Sequence, residues 1–273
     1  MENLIIIKPQ KRFSLQDLKE IWIYKELLYF FTWRDLKVRY KQTAIGVLWA
    51  IFRPFITMII FSVFFGGLMK VPSDNIPYPI FVYVGLLFWQ LFSASLSESS
   101  NSLVSSRAIF TKIYFPRLIL PISSIIPHFV DFLIASIILI GMMFYYHFIP
   151  GLIGLLILPI LILITLTMSC GLGIFLSAIN VKYRDVPHIL PFLIQTLMFV
   201  TPVIYPTSIL QKYSWIMAIN PMTGVIQTAR AAILGTSSIN WFLLLISGLI
   251  CLTVLIFGII YFKKTEKHFA DLV

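Results

Sequence analysis

The chain is 273 residues long, 59% hydrophobic and only 12% charged, where a soluble domain is about half apolar and a quarter charged. The missing charge and the long apolar runs exclude a single large soluble core and place the chain in a membrane. A net charge of +10 would suggest nucleic acid in a soluble protein, but basic residues of a membrane protein set its topology, and no basic patch lies outside the segments assigned to the cytoplasm below.

Taken in chain order, Leu4–Ile7 is too short for the apolar core of a secretory signal and is closed by Lys8-Pro9. Ser14-Leu-Gln-Asp17 reads as an N-cap with an acidic residue three positions on, starting a short helix. A second helix is expected from about Tyr24 to Gln42, where Tyr29, Trp33, Leu36 and Tyr40 recur at helical spacing as one aromatic stripe. Its charges lie beside and opposite the stripe, so it belongs in the membrane interface. A plain anchor and a docking surface for a cytoplasmic partner both fit these residues.

The first span is expected over residues 47–69, with Arg53-Pro54 near its start, and the second over 80–96. Arginine at mid-bilayer costs about 2.5–3.5 kcal/mol on insertion scales, so Arg53 is placed near the end, snorkelling to phosphates. Residues 98–116 read as a serine-rich cytoplasmic loop carrying Arg107 and Lys112, either a linker or a short helix on a partner. The third span covers 118–148 and carries His128 and Asp131 on one face, open to a polar pair, loop contacts or a proton relay. The fourth covers 152–179. Residues 189–204 form a marginal fifth, with Pro191, Gln195 and Pro202 inside it. Thr201–Asn240 is broken by Pro202, Pro206 and Pro221, and its Met222–Leu234 stretch is too short to cross. It reads as a re-entrant hairpin on the outer side or as an outer loop with an interfacial helix. The last span is 241–262. Cys170 and Cys251 sit inside apolar runs and act as small hydrophobes, with no disulfide or metal-binding spacing.

Six spans put both termini on one side, and charge decides which. Of the 21 lysines and arginines, Lys70, Lys212 and Arg230 fall on the far side, Arg53 lies in a span, and all the others fall on the terminal side. That asymmetry makes the terminal side cytoplasmic. It also favours the weak fifth span, without which the C-terminal lysines would face outward. The expected fold is therefore all-α and integral to the membrane. A cytoplasmic interface region (1–46) precedes a six-helix transmembrane domain (47–262) with outer re-entrant helices, and a short tail (263–273) follows.

No GxxxxGK[ST], HExxH or GxSxG motif occurs, and no glycine is followed by lysine. The chain reads as a non-enzyme, so any ATP-driven work needs a separate subunit.

Trp33-Arg-Asp-Leu-Lys-Val-Arg-Tyr40, Thr43-Ala-Ile-Gly-Val-Leu-Trp49, Pro54, Asn180-Val-Lys-Tyr-Arg-Asp185 and Asn220-Pro221…Arg230…Leu234-Gly235 follow one another along nearly the whole chain. Together they resemble the permease subunits of bacterial ABC exporters for polysaccharides, such as the O-antigen and teichoic-acid exporters. The resemblance implies a homodimer in the bacterial inner membrane, each protomer paired with a cytoplasmic ABC ATPase that binds ATP and magnesium. This chain itself would hold no cofactor, metal or catalytic residue and no nucleic acid. The cargo would be a lipid-linked polysaccharide moved through the dimer interface among membrane lipids. ATPase coupling would fall to Trp33, Arg34, Asp35, Arg39, Arg107, Lys112, Tyr183, Arg184 and Asp185. Pro202, Pro206, Pro221 and Arg230 would form the outer gate. Aromatic residues are 15% of the chain, and Tyr40, Trp49, Phe52 and Phe55 are offered as path-lining rings that stack on sugars. A drug or lipid exporter of the same fold is the alternative. A membrane enzyme or ion-coupled carrier would need clustered intramembrane acids or histidines.

Overall fold

A computed structural model of the chain describes residues 20–41, 46–110, 112–183, 185–209, 214–235, 238–267 and 269. The expected cap at Ser14–Asp17 and the coupling residue Arg184 lie outside them. Every regular element is helical, as the long apolar runs require, because only a helix satisfies its own backbone in lipid.

Helix α1 (Lys25–Lys41) buries Phe31 and Thr32 and packs mainly on the short helix α5. Its packed face runs through Tyr24, Leu27, Leu28 and Phe31, one step round from the aromatic stripe. Tyr29 and Trp33 stay exposed and stack on each other, ring centroids 6.4 Å apart. So α1 has two apolar faces, one for the protein and one left open.

Helix α2 (Leu48–Phe61) continues as a π-helical segment (Ser62–Leu68). The wider turn falls at Gly66, where an added Cβ would lie 2.8 Å from the Tyr78 ring. Helix α3 (Tyr78–Ser105) is the central element. It is buried along most of its length, where α2 is largely exposed, and it packs most heavily on α7.

The expected serine-rich loop is a correction. Residues 98–105 continue α3 as helix. The serine hydroxyls of Ser100, Ser102 and Ser105 donate back to the carbonyls of Ser97, Ser99 and Ser102, so they compete little with the helix. Asn180 of α7 then donates to the Ser100 carbonyl and to Asn101 Oδ1, both at 3.1 Å. Tertiary contact, not local propensity, extends the helix.

After the short helix α4 (Arg107–Phe110), α5 (Ile119–Ser123) leads into α6 (Ile126–Tyr146). Helix α7 (Leu152–Lys182) and helix α11 (Trp241–Glu266) cross at glycines. A Cβ on Gly258 would come within 2.4 Å of the Gly171 carbonyl oxygen, which is backbone and cannot yield. Gly258→Val is therefore expected to cost a few kcal/mol, read as lost folded yield and a lower melting temperature in detergent.

Helices α8 (Val186–Val200), α9 (Ser214–Ile219) and α10 (Pro221–Leu234) complete the fold. Among the described residues, five helices are long and apolar enough to cross a membrane: Leu48–Leu68, Tyr78–Ile109, Ile119–Tyr146, Leu152–Lys182 and Trp241–Glu266. The sixth expected span is the 15-residue α8, about 22 Å long against an apolar thickness of about 30 Å. Helix α10 is buried at every residue except Gln227, wedged among α3, α7 and α11.

Two apolar clusters fix the polarity of the bundle. The smaller gathers Phe31 of α1, Leu103 at the end of α3, Leu118 and Ile119, Ile174 and Ala178 late in α7, and Phe262 late in α11. One end of the bundle thus holds α1 and the C-terminal ends of α3, α7 and α11.

Candidate functional site

A cleft of about 1260 Å³ opens beside α3, walled by α1, α2, α6 and α8. Around its mouth stand Arg34, Asp35, Arg39 and Tyr40 of α1, with Trp49 and Arg53 of α2. Farther along, Gln90, Ser93, Ser97 and Glu98 of α3 face it, with His128 and Asp131 of α6 and Gln195 of α8. Of the four path residues expected from sequence, Tyr40 and Trp49 line this cleft. Phe55 packs instead against the main core, and Phe52 is exposed outside the lining.

At the mouth, α1 is pinned to α6. Asp131 takes both Arg39 Nη1, on Oδ2 at 2.5 Å, and the Tyr40 hydroxyl, on Oδ1 at 2.5 Å. Arg39 Nη1 also lies 3.0 Å from His128 Nδ1. His128 and Asp131 share a face because they are one turn apart, and His128 Nδ1 is 3.6 Å from the carboxylate. Burial first, and then the bond to Asp131, push the Tyr40 phenol well above its ordinary pKa, so it stays a donor. Of the three roles left open for His128 and Asp131, the geometry supports the polar pair joined to the entry helix. Arg34 pairs with its neighbour Asp35 at 2.8 Å and lies 5.0 Å from the Phe31 ring centroid.

The other expected coupling residues are spread over the same end of the bundle. Trp33, Arg107, Lys112, Tyr183 and Asp185 are all exposed there, and Lys182 Nζ sits 5.0 Å from the Tyr183 ring centroid. Asp185 occupies the N-cap of α8 without a side-chain cap bond.

The expected gate residues are interior. Pro202, Pro206, Pro221 and Arg230 are buried. Arg230, on α10, donates to the carbonyls of Pro202 (2.8 Å), Val203 (2.6 Å) and Phe81 (3.2 Å), and its guanidinium lies 3.6 Å from the Phe81 ring centroid. The corner after α8 carries carbonyls that the helix cannot satisfy, and each finds a donor. The Tyr205 hydroxyl reaches Phe199 and Val200, Arg230 takes Pro202 and Val203, and the Tyr78 hydroxyl takes Ile204. Asn220, which caps α10, also donates to Thr201 Oγ1 at 2.7 Å. Sequence reading located Arg230 but missed the clamp, since its partners are backbone atoms of distant residues.

Among the described residues no three His, Cys, Asp or Glu side chains gather to hold a metal ion.

The family model described as ABC-2 type transporter matches residues 26–234. The chain is 31% identical over 251 residues to an O-antigen export system permease protein, RfbA, of Klebsiella pneumoniae, covering 91% of this chain and 95% of the relative. It is 32% identical over 218 residues to RfbA of Myxococcus xanthus, covering 78% and 82%. With the polysialic acid transport protein KpsM of Escherichia coli it shares 25% over 209 residues, covering 74% and 78%. With its core of apolar spanning helices and these likenesses along most of its length, the chain belongs to the ABC-2 type transporter family.

Proposed function

We propose that this chain is the membrane permease of an exporter that moves a lipid-linked polysaccharide of the O-antigen kind outward across the bacterial inner membrane. The observation that carries the reading is the cleft of about 1260 Å³, where hydroxyls, amides and charges stand beside aromatic and aliphatic side chains, a mixed lining suited to a cargo that joins a lipid to sugars. Relatives named for O-antigen export and polysialic acid transport point the same way.

In this reading two copies of the chain pair in the membrane, each on a cytoplasmic ABC ATPase that supplies the ATP and magnesium chemistry. The open faces of α2 and α8, exposed at Trp49, Ile56, Ile60, Phe192 and Phe199, are where the second copy would close the cleft. Helix α8 starts where α7 ends, and the corner after it lies against Phe81 near the start of α3. That path supports a sixth crossing in spite of the helix's length, and with it cytoplasmic termini. Helices α9 and α10 then form the outer re-entrant hairpin, with Arg230 and Pro202, Pro206 and Pro221 holding its frame. Trp33, Arg34, Asp35, Arg39, Arg107, Lys112, Tyr183, Arg184 and Asp185 form the surface that meets the ATPase.

The test is a strain lacking the gene for this chain. Lipid-linked polysaccharide should accumulate inside, and surface polysaccharide should return when the chain is supplied together with its ATPase. Return of drug efflux or lipid movement without polysaccharide would overturn the reading in favour of the other cargo class.

A further inference from the structure

Between residues 80 and 103 helix α3 is buried almost all round, yet residues 90, 93, 94, 97, 98 and 101 are left uncovered. Their spacing of i, i+3, i+4, i+7, i+8 and i+11 makes them one stripe along the helix. The residues are Gln90, Ser93, Ala94, Ser97, Glu98 and Asn101, and the exposed Val104 ends the stripe one turn on. A span that turned this stripe to lipid would expose amides and a carboxylate to hydrocarbon, which is strongly disfavoured. From Gln90 to Glu98 the stripe instead faces the cleft, together with Trp49 and Thr57 of α2 and Gln195 of α8, while Asn101 accepts from Asn180 of α7. Contact with a polar cargo accounts for a polar stripe on the most buried spanning helix.

We propose that this stripe is the track on which the sugar part of the cargo is bound, with Gln90, Ser93 and Ser97 as its hydrogen-bonding residues. The inference rests on the polysaccharide reading above and adds to it the residues that meet the sugars. Neutral amides and hydroxyls act as both donors and acceptors, so they match sugar hydroxyls without demanding one orientation. Each such bond exchanges with water at little net gain, which lets a polymer advance along the track. A small residue, Ala94, sits in the middle of the stripe and leaves room for a sugar ring. The indole of Trp49 offers an apolar face across the cleft.

The experiment uses the chain purified with its ATPase. Gln90→Cys, Ser93→Cys and Ser97→Cys are made one at a time and reacted with a water-soluble maleimide. Ile149→Cys, exposed in the turn between α6 and α7 and outside the cleft, is the control. The probe is the lipid-linked polysaccharide extracted from cells that lack this chain and accumulate it. Reaction at 90, 93 and 97 should slow at least fivefold with the probe and not with the sugar-free carrier lipid. Equal reaction with and without the probe, or equal protection by the sugar-free lipid, overturns the proposal. In cells, the combined Gln90→Leu, Ser93→Val and Ser97→Val variant should still copurify with the ATPase while surface polysaccharide falls at least tenfold. If the unaltered chain exports and this variant exports equally, the track is wrong and the export reading stands. If the unaltered chain exports no polysaccharide, the export reading itself falls.

Discussion

Arg230→Ala should be the most damaging single substitution outside the glycine crossings. Two well-placed buried carbonyls, of Pro202 and Val203, lose their donor, and a buried acceptor left unmade costs about 1–3 kcal/mol. The expected loss is therefore about 2–6 kcal/mol, with a further deficit from the vacated space over Phe81. Arg230→Lys should recover little, because an ammonium is a point charge and cannot span carbonyls on both α3 and the corner after α8. Gly85→Ala attacks the same clamp from the other side: its Cβ would lie 2.8 Å from Arg230 Nη2 and 3.0 Å from the Val203 carbonyl oxygen. Melting of the detergent-solubilised protein measures all three. A melting temperature unchanged in Arg230→Ala would mean that water satisfies the corner and that the clamp is dispensable.

Asp131→Ala should act mainly on coupling. The carboxylate joins Arg39 and Tyr40 of the entry helix to α6. Side-chain exposures of 29% for Arg39 and 26% for Asp131 put the pair between a surface and a buried one, so the direct loss of stability is modest, about 1–2 kcal/mol. A contact that transmits motion between two sites is typically worth about 1–3 kcal/mol. On the export reading, polysaccharide moved per ATP hydrolysed should then fall roughly tenfold, while the complex with the ATPase still assembles. Exchanging the charges, Arg39→Asp with Asp131→Arg, should recover part of the ratio. An unaltered ratio in Asp131→Ala would reduce the cluster to a structural pin.

Much of this was legible in the chain. Residues 47–69, 118–148 and 241–262 emerge as spans within a few positions of the observed helices, because long apolar runs in lipid have one solution. The entry helix and the short, buried, proline-led α10 were legible from spacing and from Asn220-Pro221. The serine-rich segment misled, because serine in sequence suggests a loop. Within α3 those hydroxyls bond the preceding turn, and Asn180 holds the extended end from another helix. Phe52 and Phe55 stay off the cleft that Tyr40 and Trp49 line, because the side of a helix that faces a cleft is set by rotation against neighbours, and ring type carries no such information.

Composition and the run of apolar residues by themselves determined a helical membrane protein and the approximate place of most of its apolar helices. Those properties follow from transfer of each segment between water and lipid, which is a local matter. Only the tertiary structure decided that Asp131 holds the entry helix, that Arg230 serves backbone carbonyls, and that α3 turns one polar stripe to a cleft. Each of these joins residues dozens of positions apart, whose meeting depends on how helices are rotated and stacked.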